Sequence, residues 1–163
     1  MECELLDTGV FDADRYFDVV VEYAKTDPED VLIRIIAHNR DPENAKLDRL
    51  PTLWFRNTWS WGESVPNPMQ RKGQQTVLAS CASLGDRLVY CDGSPQLLFT
   101  ENESNSNRLW ARGNASTYVK DAFHSYVVSG RPETVNPSET GTKAAAHYCL
   151  EVPAGGARLY VCG

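Results

Sequence analysis

Carboxylates are the commonest chemically capable groups in this sequence: 22 Asp and Glu in 163 residues make close pairs inevitable by number alone. Asp12 with Asp14, Glu101 with Glu103, and the group Asp27, Glu29 and Asp30 all fall in segments that read as turns or loops, where water keeps a carboxylate ionised. Acid–base work needs the opposite, one carboxyl held protonated near neutral pH by an apolar setting. Glu101 is the best placed, because it follows directly on the strand-like run LLFT and enters a loop rich in amides. No residue is assigned as catalytic.

The three histidines, His38, His124 and His147, lie at neither helical nor CxxC-type spacing from a second ligand, and no Gly-x-Ser-x-Gly or phosphate-cradling glycine loop is present. Neither a metal nor a cofactor is expected. The five cysteines, Cys3, Cys81, Cys91, Cys149 and Cys162, form no CxxC pair and read as reduced, mostly buried small hydrophobes; Cys81 and Cys91 could face each other across a hairpin. Sequons at Asn102 and Asn114 read as chance, because the opening MECELLDTGVF lacks the basic and apolar regions of a signal peptide.

The densest group of recognition-type side chains is LPTLWFRNTWSWG, Leu50 to Gly62, which holds three of the four tryptophans. Indoles stack on the C–H faces of sugars, pack into domain interfaces or fill cores, and Arg56 and Asn57 offer forked hydrogen bonds to hydroxyls, carboxylates or backbone. A strand here puts Leu53 and Phe55 on one face and Trp54 and Arg56 on the other. Trp54 and Phe55 read as core. The net charge of -6, with no run of Lys or Arg, excludes the electrostatic footprint of a nucleic-acid binder. No apolar stretch approaches the roughly 20 residues that span a bilayer, so no membrane partner is expected and the chain reads as cytoplasmic.

The elements that must position these groups read as strands. Tyr16–Ala24 and Val31–Asn39 are rich in β-branched residues and flank a Thr26-Asp27-Pro28 turn signal. In the second, Val31, Ile33, Ile35 and Ala37 share one face. A polar connection, residues 39–49, then leads to the tryptophan strand, giving three strands in a meander. Residues 65–75 read as a loop. Short strands follow at 76–80, 87–91 and 96–100, separated by hairpin-type turns, and the spacing of about ten residues per strand is that of a sandwich or barrel. Residues 101–117 read as a long surface loop. Tyr118–Val128 has helical periodicity and ends at Gly130, and a further loop, 131–142, leads to strands at 143–152 and 158–162. The fold expected is all-β and mainly antiparallel, a single β-sandwich domain over 1–163 with one short helix and long loops. A chain that opens just before a strand and stops inside another reads as a fragment.

Several blocks carry a resemblance. ELLDTGVFDADRYFDVVVEYAK, LPTLWFRNTWSWG, LLFTENESN, YVKDAFHSYVV and VNPSETGTKAAAHY with the following VPAGG resemble the N-terminal β-sandwich region of bacterial glucosidase-like proteins related to glycoside hydrolase family 63. The chain departs from the family pattern at Ala122, Phe123, His124 and Ser125, where relatives tend to carry Gly-Ile-Asn-Asp. The resemblance implies a supersandwich of the galactose-mutarotase-like kind preceding an (α/α)6 barrel, and the barrel supplies both carboxyls of an inverting α-glucosidase. This chain then lacks the barrel and is a non-catalytic module that packs on it and completes its sugar site. The residues expected to contact the barrel or an α-glucoside are Arg56, Asn57, Trp59 and Trp61, then Glu101, Asn102, Lys120 and Asp121. An independent carbohydrate-binding module is the alternative. A mutarotase-like epimerase using His147 and a carboxylate is a third.

Overall fold

The computed structural model describes residues 4–13, 15–62 and 65–163; Cys3 and Asp14 lie outside them. The strands are β1 (Phe17–Asp27), β2 (Asp30–Asn39), β3 (Ala45–Arg49), β4 (Thr52–Trp54), β5 (Met69–Arg71), β6 (Thr76–Cys81), β7 (Gly85–Tyr90), β8 (Gln96–Thr100), β9 (Thr140–Gly141), β10 (Lys143–Val152) and β11 (Ala157–Cys162). Two helices, α1 (Ser106–Trp110) and α2 (Ala122–Ser129), complete the main elements. The fold is all-β and antiparallel. The chain forms two compact units, Met1–Arg49 with Cys149–Gly163, and Leu50–Tyr148.

In the first unit β1, β2 and β11 make a sheet in that order. Alternation along β2 buries Ile35, Ala37 and Asn39 on one face, as its pattern predicts. Asn39 is 1% exposed, and its amide nitrogen donates to the carbonyls of Glu43 (2.8 Å), Val152 (3.0 Å) and Pro153 (3.2 Å). Its amide oxygen accepts from the backbone N–H of Asp41 at 2.9 Å. One side chain therefore satisfies a turn and the end of β10 together. Arg49, also buried, donates from Nη1 to the Ile35 carbonyl and lies 5.1 Å from the centre of the Tyr160 ring.

The expected meander does not form. Beyond its hairpin with β1, β2 pairs with β11, so a strand more than a hundred residues away takes the edge assigned to the tryptophan segment. That segment is strand only over Thr52–Trp54. It then breaks into a 3-10 turn, Trp59–Trp61, closed by Gly62 at φ 78°. Trp54 is 56% exposed rather than core, since β4 ends at that residue; Phe55 is half-buried. Residues 39–49, expected as a connection, contain β3.

In the second unit β10 is central, flanked by β4 on one side and β8 on the other. Ala144, Ala145 and Ala146 are all buried, and their small side chains let neighbours close over both faces at once. Helix α2 lays Phe123 against Leu98, Ala145 and Val135, with Leu50 and Tyr126 around them. It starts at Ala122 rather than Tyr118, because backbone bonds from Glu101 N–H to Tyr118 C=O and from Lys120 N–H to Glu103 C=O keep 118–120 out of the helix. A second sheet runs β7-β6-β5-β9. Its β5 and β9 lie in stretches expected as loops. Met69 of β5 is fully buried, between Ala79 of β6 and Gly141 of β9 in register. The presumed loop 101–117 also contains α1, capped by the Asn105 side chain accepting from the Arg108 N–H. Cys81 and Cys91 are free thiols at opposite ends of the β6–β7 hairpin, and of the four described cysteines only Cys91 and Cys162 are buried.

Candidate functional site

The ends of three strands define the site. Lys143, first in β10, stands opposite Trp54, last in β4, and opposite Thr100, last in β8. The segments leaving β4 and β8 therefore emerge side by side, and their polar side chains bind each other instead of water.

The ties are specific. Asn102 donates from its side chain to the Phe55 carbonyl (2.9 Å), and Asn57 returns a bond from its own amide to the Asn102 carbonyl (2.7 Å). The Asn57 amide oxygen also accepts from the Ser60 N–H, which holds the 3-10 turn carrying Trp59 and Trp61. Trp59 donates its indole N–H to Glu103 at 2.7 Å. Arg56 stacks its guanidinium 5.3 Å from the Trp61 ring centre, while Trp61 remains 61% exposed. The Thr142 hydroxyl donates to the Glu101 carboxylate (2.7 Å) and accepts from the Asn102 N–H (2.8 Å). Asp121 accepts from the Asn105 amide at both oxygens and from Arg108 at 3.2 Å.

Lys143 closes the circuit. Its Nζ donates to the Lys120 carbonyl (2.8 Å) and lies 4.8 Å from the Phe123 ring centre. Partial burial, with the charge of Lys120 adding to it, holds its ammonium below the usual lysine range, and Asp121 opposes that shift. Thus Arg56, Asn57, Trp59, Trp61, Glu101, Asn102 and Asp121 join the platform through their side chains, whereas Lys120 joins it through its backbone N–H and carbonyl. Sequence reasoning missed Glu103, Asn105, Thr142 and Lys143 as members. Glu103 had a usable signal, two residues from Glu101 in the same amide-rich loop, whereas Lys143 is identified only by the register of β10.

What the platform can do chemically follows from how its acids are occupied. Glu103 is held by an indole, Asp121 by an arginine and an amide, and Glu101 by a threonine hydroxyl. These are acceptors fixed in place beside the rings of Trp59 and Trp61. Glu101 also borders a shallow pocket of about 380 Å³ with Pro66, Pro68, Gln70, Thr140 and Thr142. His147 sits four residues along β10 from Lys143, about 13 Å away at strand rise, with its ring edge-on to Tyr126. No group of three or more His, Cys, Asp or Glu that would hold a metal occurs among the described residues. None of the described helices is long and apolar enough to cross a membrane.

Among known proteins, no family model and no solved structure matches the chain. An uncharacterized protein of Saccharomyces cerevisiae, YMR196W, is 35% identical over 164 aligned residues, which take in 82% of this chain and 15% of the yeast protein. The chain thus spans about 15% of the length of the curated relative it matches.

Proposed function

We propose that this chain is a non-catalytic β-sandwich module of a longer α-glucosidase-like protein, and that the platform around Trp59 and Trp61 packs on a catalytic barrel and completes its sugar site. The observation that carries the reading is the platform itself. Four separate stretches, 55–61, 101–105, 118–121 and 142–143, spend their polar side chains fixing one another while leaving Trp54 and Trp61 in the open. Ordering that many loop residues costs conformational entropy with little core burial in return, an expense that makes sense where the surface has to be rigid for a partner. Exposed indoles beside Arg and Asn are the groups that stack on and hydrogen-bond to pyranose rings. The sequence blocks resembling family 63 sandwiches point the same way, and the match to a much longer relative supports only the part of the reading that places the chain in a longer protein.

The platform's sugar contact is open to a direct test, intrinsic tryptophan fluorescence of the purified chain titrated with α-linked glucose oligomers. The expected result is a saturable change in emission that Trp61→Ala abolishes. An unchanged spectrum at saturating sugar removes sugar contact from the role of this surface. If binding reaches the micromolar range with this chain alone, the independent carbohydrate-binding reading replaces the accessory one.

A further inference from the structure

A second cavity, of about 260 Å³, lies in the same unit as the platform and shares Asn105 and Asp121 with it. Val119 and Ala122, both buried, supply its apolar part. Asn105 and Asp121 are spent as framework: the Asn105 amide donates to both Asp121 oxygens, its own oxygen accepts from the Arg108 N–H, and Asp121 also holds the Arg108 guanidinium. The other polar groups of the lining keep bonding capacity. Asn114 uses its amide oxygen on the Asn107 N–H at 2.9 Å, which leaves its NH2 to donate. Arg131 reaches Glu133 through Nε at 2.9 Å, which leaves Nη N–H groups on one partner and a carboxylate oxygen on the other. Among the described residues nothing bonds the side-chain hydroxyls of Thr117 and Ser125.

We propose that this cavity is a binding site for a neutral, hydroxyl-rich molecule of monosaccharide size. Charge, hydrogen bonding and volume each select that chemistry. The charges of the lining are already balanced, Arg131 against Glu133 and Arg108 against Asp121, so an anionic ligand meets carboxylates and a cationic one meets a guanidinium. The uncommitted groups mix donors (the Asn114 amide and Arg131), an acceptor (Glu133) and two hydroxyls that do both. Sugar and polyol hydroxyls likewise donate and accept, whereas an apolar ligand would strip these groups of water and return no bond. The volume lies below the roughly 300–1,000 Å³ of pockets for drug-sized ligands, which suits one ring and not an oligomer. Sugar contact at Trp61 is no premise of this site: a platform titration that leaves the tryptophan emission unchanged leaves the cavity's lining and its chemistry as they are.

The test is N–H correlation NMR of the isotope-labelled 163-residue chain, titrated with D-glucose, D-glucuronate and D-glucosamine at mildly acidic pH, where the glucosamine amine is protonated. These are rings of similar size and different charge. With glucose, the amides of Thr117 and Ser125 and the side-chain NH2 of Asn114 should shift saturably, and the two charged sugars should bind about tenfold more weakly or worse. Thr117→Val combined with Ser125→Ala removes both free hydroxyls at nearly constant shape and should weaken glucose about tenfold. Shifts confined to the indole N–H signals of Trp59 and Trp61 place the sugar elsewhere and overturn the proposal. So does the absence of any saturable shift, a charged sugar that binds as tightly as glucose, or a folded double variant with unchanged affinity. Shift mapping on the unsubstituted chain decides the question even if the double variant fails to fold.

Discussion

Gly141→Ala should destabilise the second unit by about 3 kcal/mol, at the upper end of overpacking costs, and lower the melting temperature by roughly 6–12 °C. Gly141 is buried in β9, and a Cβ there would sit 2.3 Å from the carbonyl oxygen of Thr100, 2.9 Å from its carbon and 3.2 Å from its nitrogen. All three atoms are backbone, so no rotamer change relieves the clash. The same carbonyl accepts the N–H of Thr142 at 3.1 Å, and Thr142 in turn positions Glu101 and Asn102. Moving β9 off β8 therefore disturbs the platform as well as the core. Gly130→Ala is the control: its φ is +60° but nothing lies within 4 Å of the added methyl, so only the left-handed backbone penalty of about 1–2 kcal/mol applies. Thermal unfolding of both variants separates contact from conformation. A Gly141→Ala variant as stable as Gly130→Ala would show that the close approach is not maintained.

The second large effect belongs to Asn39→Asp, which keeps the shape of the side chain and reverses its polarity. The nitrogen that now donates to three carbonyls would become an oxygen facing them, buried and charged. We expect a loss of about 3–5 kcal/mol at neutral pH, the cost of an uncompensated buried charge. Carbonyl neighbours and burial both disfavour the ionised form, so the new carboxyl would titrate higher in the folded chain than in the unfolded one. Its penalty is then full above the folded value and shrinks as pH falls through it, since the protonated acid can donate again. Urea unfolding at neutral and mildly acidic pH, with Asn39→Ala alongside, reads this out. A deficit that stays constant with pH would mean that the charge is not its cause.

What was legible in the sequence is what local pattern controls. The bounds of β10, Lys143 to Val152, follow from the inward alternation of Ala144, Ala146, Tyr148, Leu150 and Val152, all of them buried. Gly130 ends α2 in the left-handed conformation, as a C-terminal glycine should. Strands β5 and β9 were not legible, because two or three residues carry no period and are held by partners distant in sequence, Met69 by Gly141, 72 positions away. The meander failed for a related reason: the outer edge of β2 goes to whichever strand has the better face, and Leu159 and Tyr160 of β11, in register with Ile36 and Ile35, are not neighbours in sequence. Trp54 was misread as core because a hydrophobic residue in a strand of unknown length carries no information about where the strand stops.

The candidate platform shows the same division. Asn57, Asn102 and Trp59 stand out as hydrogen-bonding types at strand ends, yet only the register of β4 and β8 on β10 shows that they bond to one another. The half-buried Lys143 beneath them reads in sequence as the ordinary polar start of an alanine strand.

The claim that these residues support catalysis without performing it is tested most directly by glucose release from aryl α-glucosides and α-linked disaccharides. The assay compares the purified 163-residue chain with a longer version carrying the barrel that the family resemblance implies. Release by the longer protein alone, weakened by Trp61→Ala, is the predicted result. Release by the short chain would contradict the account and assign the chemistry to its own carboxylates, Glu101 first.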